Sequence, residues 1–233
     1  MKISLFAIPE ISPGKCGVRD PRLDELHKLV KSKKETYCSV ELVGEDAVAE
    51  ADALLLPQDC RQDLILRDLE FVEARISRAE EDNEKALLGK LKAVLEKEEF
   101  ILNAGLSEEE KKAISSYGLL TAKPVVSAQK EELTDKDLLL AKALRESGFI
   151  SFFTAGEKET RAWLIRKGTA AWEAAGEIHS DIQQGFIRAE IISYDDFIRA
   201  GGENQAKQAG KMRLEPKEYV MQDGDVTNFR FNK

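Results

Sequence analysis

The chain has 233 residues, 42% of them hydrophobic and 33% charged, and a formal net charge of −8. That length supports one large domain or two smaller ones with real cores, and the composition is that of a globular protein. The acidity argues against a general nucleic-acid coat, and no apolar run approaches the ~18 residues that span a bilayer. Nearly all of the negative excess lies in residues 1–150, while 151–233 are close to neutral, which leaves room for a local basic face in the later part.

The run Ile3–Ile8 is cut by Pro9 and Glu10 and followed by no small-residue cleavage site, so it reads as a first strand and not as a signal peptide. Leu23, Leu26, Leu29 and Val30, with Pro21 ahead of them, mark a short helix. The runs Tyr37–Val43 and Ala51–Leu56 complete an expected α/β unit over about 1–58. Cys16, Cys38 and Cys60 are odd in number, widely spaced and without a CxxC, which fits reduced thiols in a cytosol better than a disulfide framework or a zinc site.

Residues 60–103 read as two helices. Ile65, Leu69, Val72, Ile76 and Ala79 are spaced 4, 3, 4, 3, and Leu87, Leu91, Val94 and Ile101 resume the period, with Glu98 in an apolar slot. Heptad spacing across the short polar turn 81–85 predicts an antiparallel hairpin, either a structural seam or an arm for a partner. Ser107 and Glu110 form a capping box that opens a helix to about Tyr117. A strand over 119–127 is interrupted by Pro124, and a helix over 134–147 ends at Gly148.

From about 149 the pattern changes. Strands over 149–154 and 161–165, a helix over 171–179, a strand over 186–192 and a helical segment around 204–210 follow in order. Tyr219–Met221 and Val226–Phe231, joined by Asp223-Gly224-Asp225, read as a closing hairpin. This succession predicts a β-grasp fold.

Four blocks carry a resemblance: Thr154-Ala155-Gly156-Glu157-Lys158-Glu159-Thr160-Arg161-Ala162-Trp163, Ala175-Gly176-Glu177-Ile178-His179-Ser180-Asp181, Gly185-Phe186-Ile187-Arg188-Ala189-Glu190, and Gln222-Asp223-Gly224-Asp225-Val226 with Phe229-Arg230-Phe231-Asn232. Together they resemble the C-terminal domain of the Obg-like ATPases, the YchF family, almost unbroken from Phe152 to Asn232. Leu120-Thr121-Ala122-Lys123-Pro124 and Asp20-Pro21-Arg22-Leu23-Asp24 extend the likeness more loosely upstream. The resemblance implies a P-loop nucleotide domain with a helical arm in residues 1–148 and a TGS domain, a ubiquitin-like β-grasp, in 149–233. The expected fold class is therefore α/β and α+β, with a shrunken P-loop-NTPase-like remnant, an antiparallel helical hairpin at 60–103, and a C-terminal β-grasp. The family implies ATP or GTP with magnesium as cofactor and the ribosome as partner.

The chemistry of the nucleotide motif is missing from the sequence. A P-loop needs backbone N–H groups wrapped around phosphate, a lysine, and a hydroxyl on magnesium. Here Ala7 replaces the first glycine, the loop to Gly14 is two residues too long, Pro9 and Pro13 lack donors, Glu10 adds a carboxylate, and Cys16 stands at the hydroxyl position. Only Gly14 and Lys15 remain, as a vestigial P-loop or a turn with a solvated lysine. Gly17-Val18-Arg19 runs straight into Asp20, where the family has a helix and a switch segment. Gly44-Glu45-Asp46-Ala47 stands in place of the Asp-x-x-Gly metal motif, and Gln129-Lys130-Glu131 in place of Asn-x-x-Glu. The expectation is no catalytic residue, no metal site and no bound cofactor, with ATP or GTP and magnesium as the alternative. His27 and His179 have no companions at metal spacing.

The leading functional expectation is a cytoplasmic adaptor that binds the ribosome, structured RNA or a translation-associated protein, with no membrane and no DNA. The competing one is a nucleotide-binding protein with residual or partner-stimulated hydrolysis. Arg161, Arg166, Lys167, Arg188, Lys211 and Arg213 are the candidate partner-binding cations, expected to converge on one sheet face. Their alternative is pairing with Glu157, Glu159, Glu190 and Glu215 on a solvated surface.

Overall fold

The computed structural model describes residues 1–232. The elements of the first half are Lys2–Leu5 (β1), Gly14–Val18 (β2), Pro21–Val30 (α1), Glu35–Thr36 (β3), Cys38–Val43 (β4), Ala53–Pro57 (β5), Arg61–Ile76 (α2) and Asp82–Leu95 (α3). Glu108–Ile114 (α4), Val125–Ala128 (β6), Lys136–Glu146 (α5), Phe149–Ala155 (β7), Thr160–Arg166 (β8) and Ala171–Ile178 (α6) follow. The chain continues through Ser180–Gln184 (α7), Phe186–Ser193 (β9), Tyr194–Ala200 (α8), Glu203–Gln208 (α9), Arg213–Glu215 (β10) and Asp225–Phe231 (β11). They divide into two units, Met1–Cys16 with Val40–Ser147, and Gly17–Ser39 with the chain from Gly148 on.

The first unit is built on a sheet of order β2-β4-β1-β5-β6, in which β4, β1, β5 and β6 are mutually parallel. Leu54, Leu55 and Leu56 are all fully buried, as a parallel strand covered on both faces requires. Pro124 directly precedes β6, and its carbonyl accepts from Leu54 N–H. The Ser107–Glu110 capping box forms in both directions.

The expected hairpin is present. α2 and α3 share a core of Ile65, Val72, Leu88, Leu91 and Leu95, and ion pairs Arg75–Glu84 at 2.8 Å and Glu73–Lys92 at 2.7 Å cross between them. Its far end differs from the heptad reading. α3 stops at Leu95 and Glu98 takes a left-handed φ of 59°. The charged residue therefore leaves the seam, and Ile101 returns to the core from a 3-10 turn.

The second unit has the sheet order β10-β9-β11-β7-β8-β3. β7 and β8 form an antiparallel hairpin, β11 joins β7 in parallel, and β9 pairs antiparallel with β11. Without β3 this is a β-grasp arrangement. α6 and α7 cover one face over Phe152, Ile165, Ala189, Ile191 and Phe229.

Residues 17–39, expected within the N-terminal domain, belong instead to this unit. Asp20 caps α1 by accepting from Arg22 N–H, and Pro21 opens it. Leu23 and Leu26 are fully buried, and the Arg22 guanidinium lies 5.3 Å over the Phe153 ring on the sheet face opposite Phe152. Arg22 also pairs with Asp223 at 2.8 Å. β3 then extends the sheet in parallel beside β8, fixed by Thr160 N–H to Lys34 O and by Ser32 Oγ against Thr160 Oγ1 at 2.9 Å. The periodic Leu23/Leu26 signal was legible, but nothing in it names the face it covers.

The C-terminal hairpin differs too. Tyr219–Met221 forms no strand, only a bridge between Val220 and Ala170, and the edge strand is Arg213–Glu215. The buried Asp225 carboxylate accepts from Gln222 N–H and Tyr219 Oη, holding 219–225 as a turn instead of a ladder. The helix α8 was not anticipated; Ser193 caps it through Asp196 N–H.

β3 is tied down by one carboxylate. Glu159 accepts from Lys34 Nζ at 2.9 Å and Thr36 Oγ1 at 2.6 Å, and these partners hold its acid below the ordinary carboxylate range. A depressed acid contributes stability above its unfolded pKa and loses it as pH falls through the folded value. Acid unfolding of the wild type should therefore include a component, below about pH 4, that is missing in Glu159→Gln. Equal slopes in the two proteins over that range would contradict it.

Candidate functional site

In open parallel α/β sheets, ligands bind beyond the carboxyl ends of the strands. At that end, β1 runs into Phe6 and Ala7 and β4 into Gly44 and Glu45. Phe6 N–H donates to Leu55 O, keeping the chain on the sheet for one more residue. Ala7 then takes a left-handed φ of 53°, and its N–H donates to Glu45 Oε1 at 2.9 Å. Arg67 of α2 approaches Glu45 Oε2 at 3.6 Å with its guanidinium 4.6 Å over the Phe6 ring. Ser4 Oγ donates to Gly44 O at 3.3 Å, anchoring the turn that carries Glu45.

The loop from 6 to 13 turns Phe6, Ile8 and Ile11 into the core, so its apolar side chains are packed inward and no ring of amides surrounds a phosphate. Gly14 and Lys15, the vestigial P-loop residues, lie in strand β2 and are exposed; the strand runs on to Val18, so no helix opens directly after Lys15. The nearby field is negative. Burial, Asp59, Asp63 and Glu45 all push the Cys60 thiol upward. A nucleotide triphosphate and magnesium do not fit these residues. Among the described residues no cluster of three or more His, Cys, Asp or Glu is placed to hold a metal ion. His27 Nδ1 meets Ser32 Oγ at 2.6 Å, and His179 Nδ1 caps α7 by accepting from Asp181 N–H.

The second unit holds the candidate cations, and the strand register separates them. Arg161 shares its face with Trp163 and Ile165, and Arg213, opposite Ile191, shares that same α6-covered face. Arg166 and Arg188 point to the opposite face. The expected convergence on one face is therefore not found: successive strand residues face opposite ways, and the register puts Arg161 and Arg213 on one side and Arg166 and Arg188 on the other.

Their environments differ as well. Arg161 stacks 4.0 Å over Trp163, and its Nε is buried without a partner. Arg166 lies 4.7 Å over Phe149, with Lys167 exposed beyond it. Lys211 pairs with Asp196 at 3.5 Å, and Arg213 with Glu215 at 3.4 Å and Asp225 at 3.6 Å. Arg188 stands directly opposite Arg230, which is bonded to Glu190.

Two features escaped the sequence reading. Arg230 was not among the expected cations, and only the pairing of β11 with β9 sets it opposite Arg188. Lys28, Lys31, Lys33 and Lys34 are exposed and belong to this unit. Residues 17–39 bring six Lys and Arg against four Asp and Glu, which turns a near-neutral unit slightly basic.

Residues 149–232 match the family model described as YchF-GTPase_C, a protein of unknown function (DUF933). A ribosome-binding ATPase YchF of Haemophilus influenzae is 31% identical over an alignment covering 97% of this chain and 91% of that protein. The protein of the same description from Bacillus subtilis is 35% identical, over 73% of this chain and 64% of its own length. The chain thus spans less than two thirds of the Bacillus relative. The solved structure of the Schizosaccharomyces pombe YchF GTPase superposes with a TM-score of 0.78 at 21% identity, covering 99% of this chain and 97% of that one; it shares the fold.

Proposed function

The chain belongs to the YchF family, and we propose that it acts as a cytoplasmic, ribosome-associated binding protein that does not hydrolyse nucleotide. Relatives carry the description ribosome-binding ATPase, and the two halves of that description fare differently in this chain. The observation that carries the reading is this contrast. The C-terminal unit keeps a full β-grasp sheet, matched by the family model over 149–232, while the carboxyl end of β1 closes on Glu45 where a phosphate cradle would have to form. The TGS-like unit and the helical hairpin are then the working surfaces. Among the described residues no helix is long and apolar enough to cross a membrane.

Ribosomal RNA is the polyanion that exposed Arg and Lys would meet, with guanidinium groups giving paired donors to phosphate. The test is co-sedimentation of the full chain with ribosomes across a salt series, with and without Mg-ATP. Binding is expected without nucleotide, unchanged by its addition, and falling steeply with salt. Arg188→Glu and Arg161→Glu, on opposite faces of the sheet, show which face engages. Reversal on the engaged face lowers affinity across all salt concentrations and reduces the salt slope by about one. Absence of ribosome binding, or binding only with Mg-ATP, contradicts the reading. Thermal stabilisation of the wild type by Mg-ATP, or its hydrolysis, would favour the nucleotide-dependent alternative.

A further inference from the structure

A phosphate oxygen in a protein is typically met by a backbone N–H and a guanidinium together, because both donate and one brings compensating charge. Ala7 N–H and the Arg67 guanidinium form such a pair at the carboxyl end of β1, and both converge on the carboxylate of Glu45, at 2.9 Å and 3.6 Å. The arrangement is built on rigid parts. Phe6 is buried and carries Arg67 over its ring, Phe6 N–H is bonded into β5, and Ser4 holds the carbonyl preceding Glu45. Ala7 sits in a left-handed conformation that residues with a Cβ seldom adopt.

We propose that Glu45 is a resident anion: its carboxylate fills the position of a single phosphate group between Ala7 N–H and Arg67, and its removal opens a weak oxyanion site. The inference rests on the non-hydrolysing reading above and supplies its physical cause. A free anion reaching this position has to displace a tethered carboxylate, which is always present at high effective concentration. It also has to approach Asp59, just before α2, and Asp63, in the first turn of α2, against like charge. The site without Glu45 suits inorganic phosphate or one end of pyrophosphate. It lacks the successive amides that a whole triphosphate requires.

The test titrates the full chain with inorganic pyrophosphate, read by calorimetry and by thermal unfolding. The proteins are the wild type, Glu45→Ala, Glu45→Gln, and Glu45→Ala combined with Arg67→Ala. The wild type is expected to bind pyrophosphate only weakly, and Glu45→Ala about tenfold or more tightly than wild type. Adding Arg67→Ala should abolish the gain. Glu45→Gln loses the charge but keeps an acceptor for Ala7 N–H, so its gain should be smaller. A folded Glu45→Ala protein that gains no affinity overturns the proposal, as does a wild type that binds pyrophosphate equally well. If Glu45→Ala does not fold, the isosteric Gln variant decides, and no gain there overturns it. Ribosome co-sedimentation of the wild type without nucleotide is read separately. It can succeed while the Glu45 variants fail, or fail while they succeed, so the two readings fall independently.

Discussion

Leu26→Ala is expected to destabilise the C-terminal unit by about 2–5 kcal/mol, although it lies in what the sequence presents as the N-terminal domain. Leu26 and Leu23 are fully buried on the helix α1, which sits on the Phe153 side of the β-grasp sheet. Removing three carbons from such a site loses transfer free energy and leaves a cavity that rigid strands fill only in part. The readout is direct, because the only two tryptophans, Trp163 and Trp172, both lie in this unit. Their fluorescence transition in denaturant should shift to lower concentration in Leu26→Ala, with the Leu23→Ala, Leu26→Ala pair shifted further. An unmoved tryptophan transition would show that α1 is not part of this unit's stability.

The same geometry fixes how the unit should be prepared. A fragment beginning at residue 149 loses β3, α1 and the Arg22–Asp223 pair, and exposes Phe153 and Ala162. It is expected to unfold at lower denaturant than the full chain or to aggregate, since uncovered apolar strand faces invite association. Equal stability of the fragment and the full chain would contradict the role given to residues 17–39.

Local signals in the sequence were reliable where one short-range interaction decides the outcome. The capping box at Ser107, the Gly148 stop and the α2–α3 hairpin all formed, whereas the strand expected over 119–127 begins only at Val125, after Pro124. What failed were the assignments that need partners distant in the chain. Leu23 and Leu26 announce a buried helix face without naming the sheet that buries it. The alternation of β9 separates Ile187 from Arg188, but only the pairing with β11 and β10 tells which cations share a face. Asp223-Gly224 looks like a hairpin because its buried anchor, Asp225, reads as one more turn residue. The nucleotide site followed the same rule. The missing glycine, the extra loop residues and Cys16 are visible in sequence, whereas the closure of Ala7 onto Glu45 joins positions just beyond the ends of two strands and has no linear signature.

Asp68→Ala is expected to cost about 3 kcal/mol, for a reason the heptad pattern concealed. By spacing Asp68 is a polar flank between Ile65 and Leu69, yet it is 3% exposed. Its Oδ1 accepts from Leu120 N–H at 2.9 Å, and its Oδ2 from Thr121 N–H at 2.7 Å and Thr121 Oγ1 at 2.6 Å. One carboxylate of α2 therefore satisfies the turn at 120–121 that leads into β6, and so fixes the base of the hairpin against the parallel sheet. Alanine leaves two backbone donors buried without acceptors, and each such group costs about 1–3 kcal/mol. Asparagine keeps one acceptor oxygen and presents an amide where Oδ2 stood, so it should recover only part of the loss. Thr121→Val removes a single hydroxyl and spares both backbone bonds, giving a smaller cost of about 1 kcal/mol. The order expected in thermal unfolding of the full chain, followed by far-ultraviolet circular dichroism, is Thr121→Val mildest, Asp68→Asn intermediate and Asp68→Ala most severe. An Asp68→Ala protein as stable as wild type would mean that water reaches the 120–121 turn and that the hairpin base is held by its apolar contacts alone.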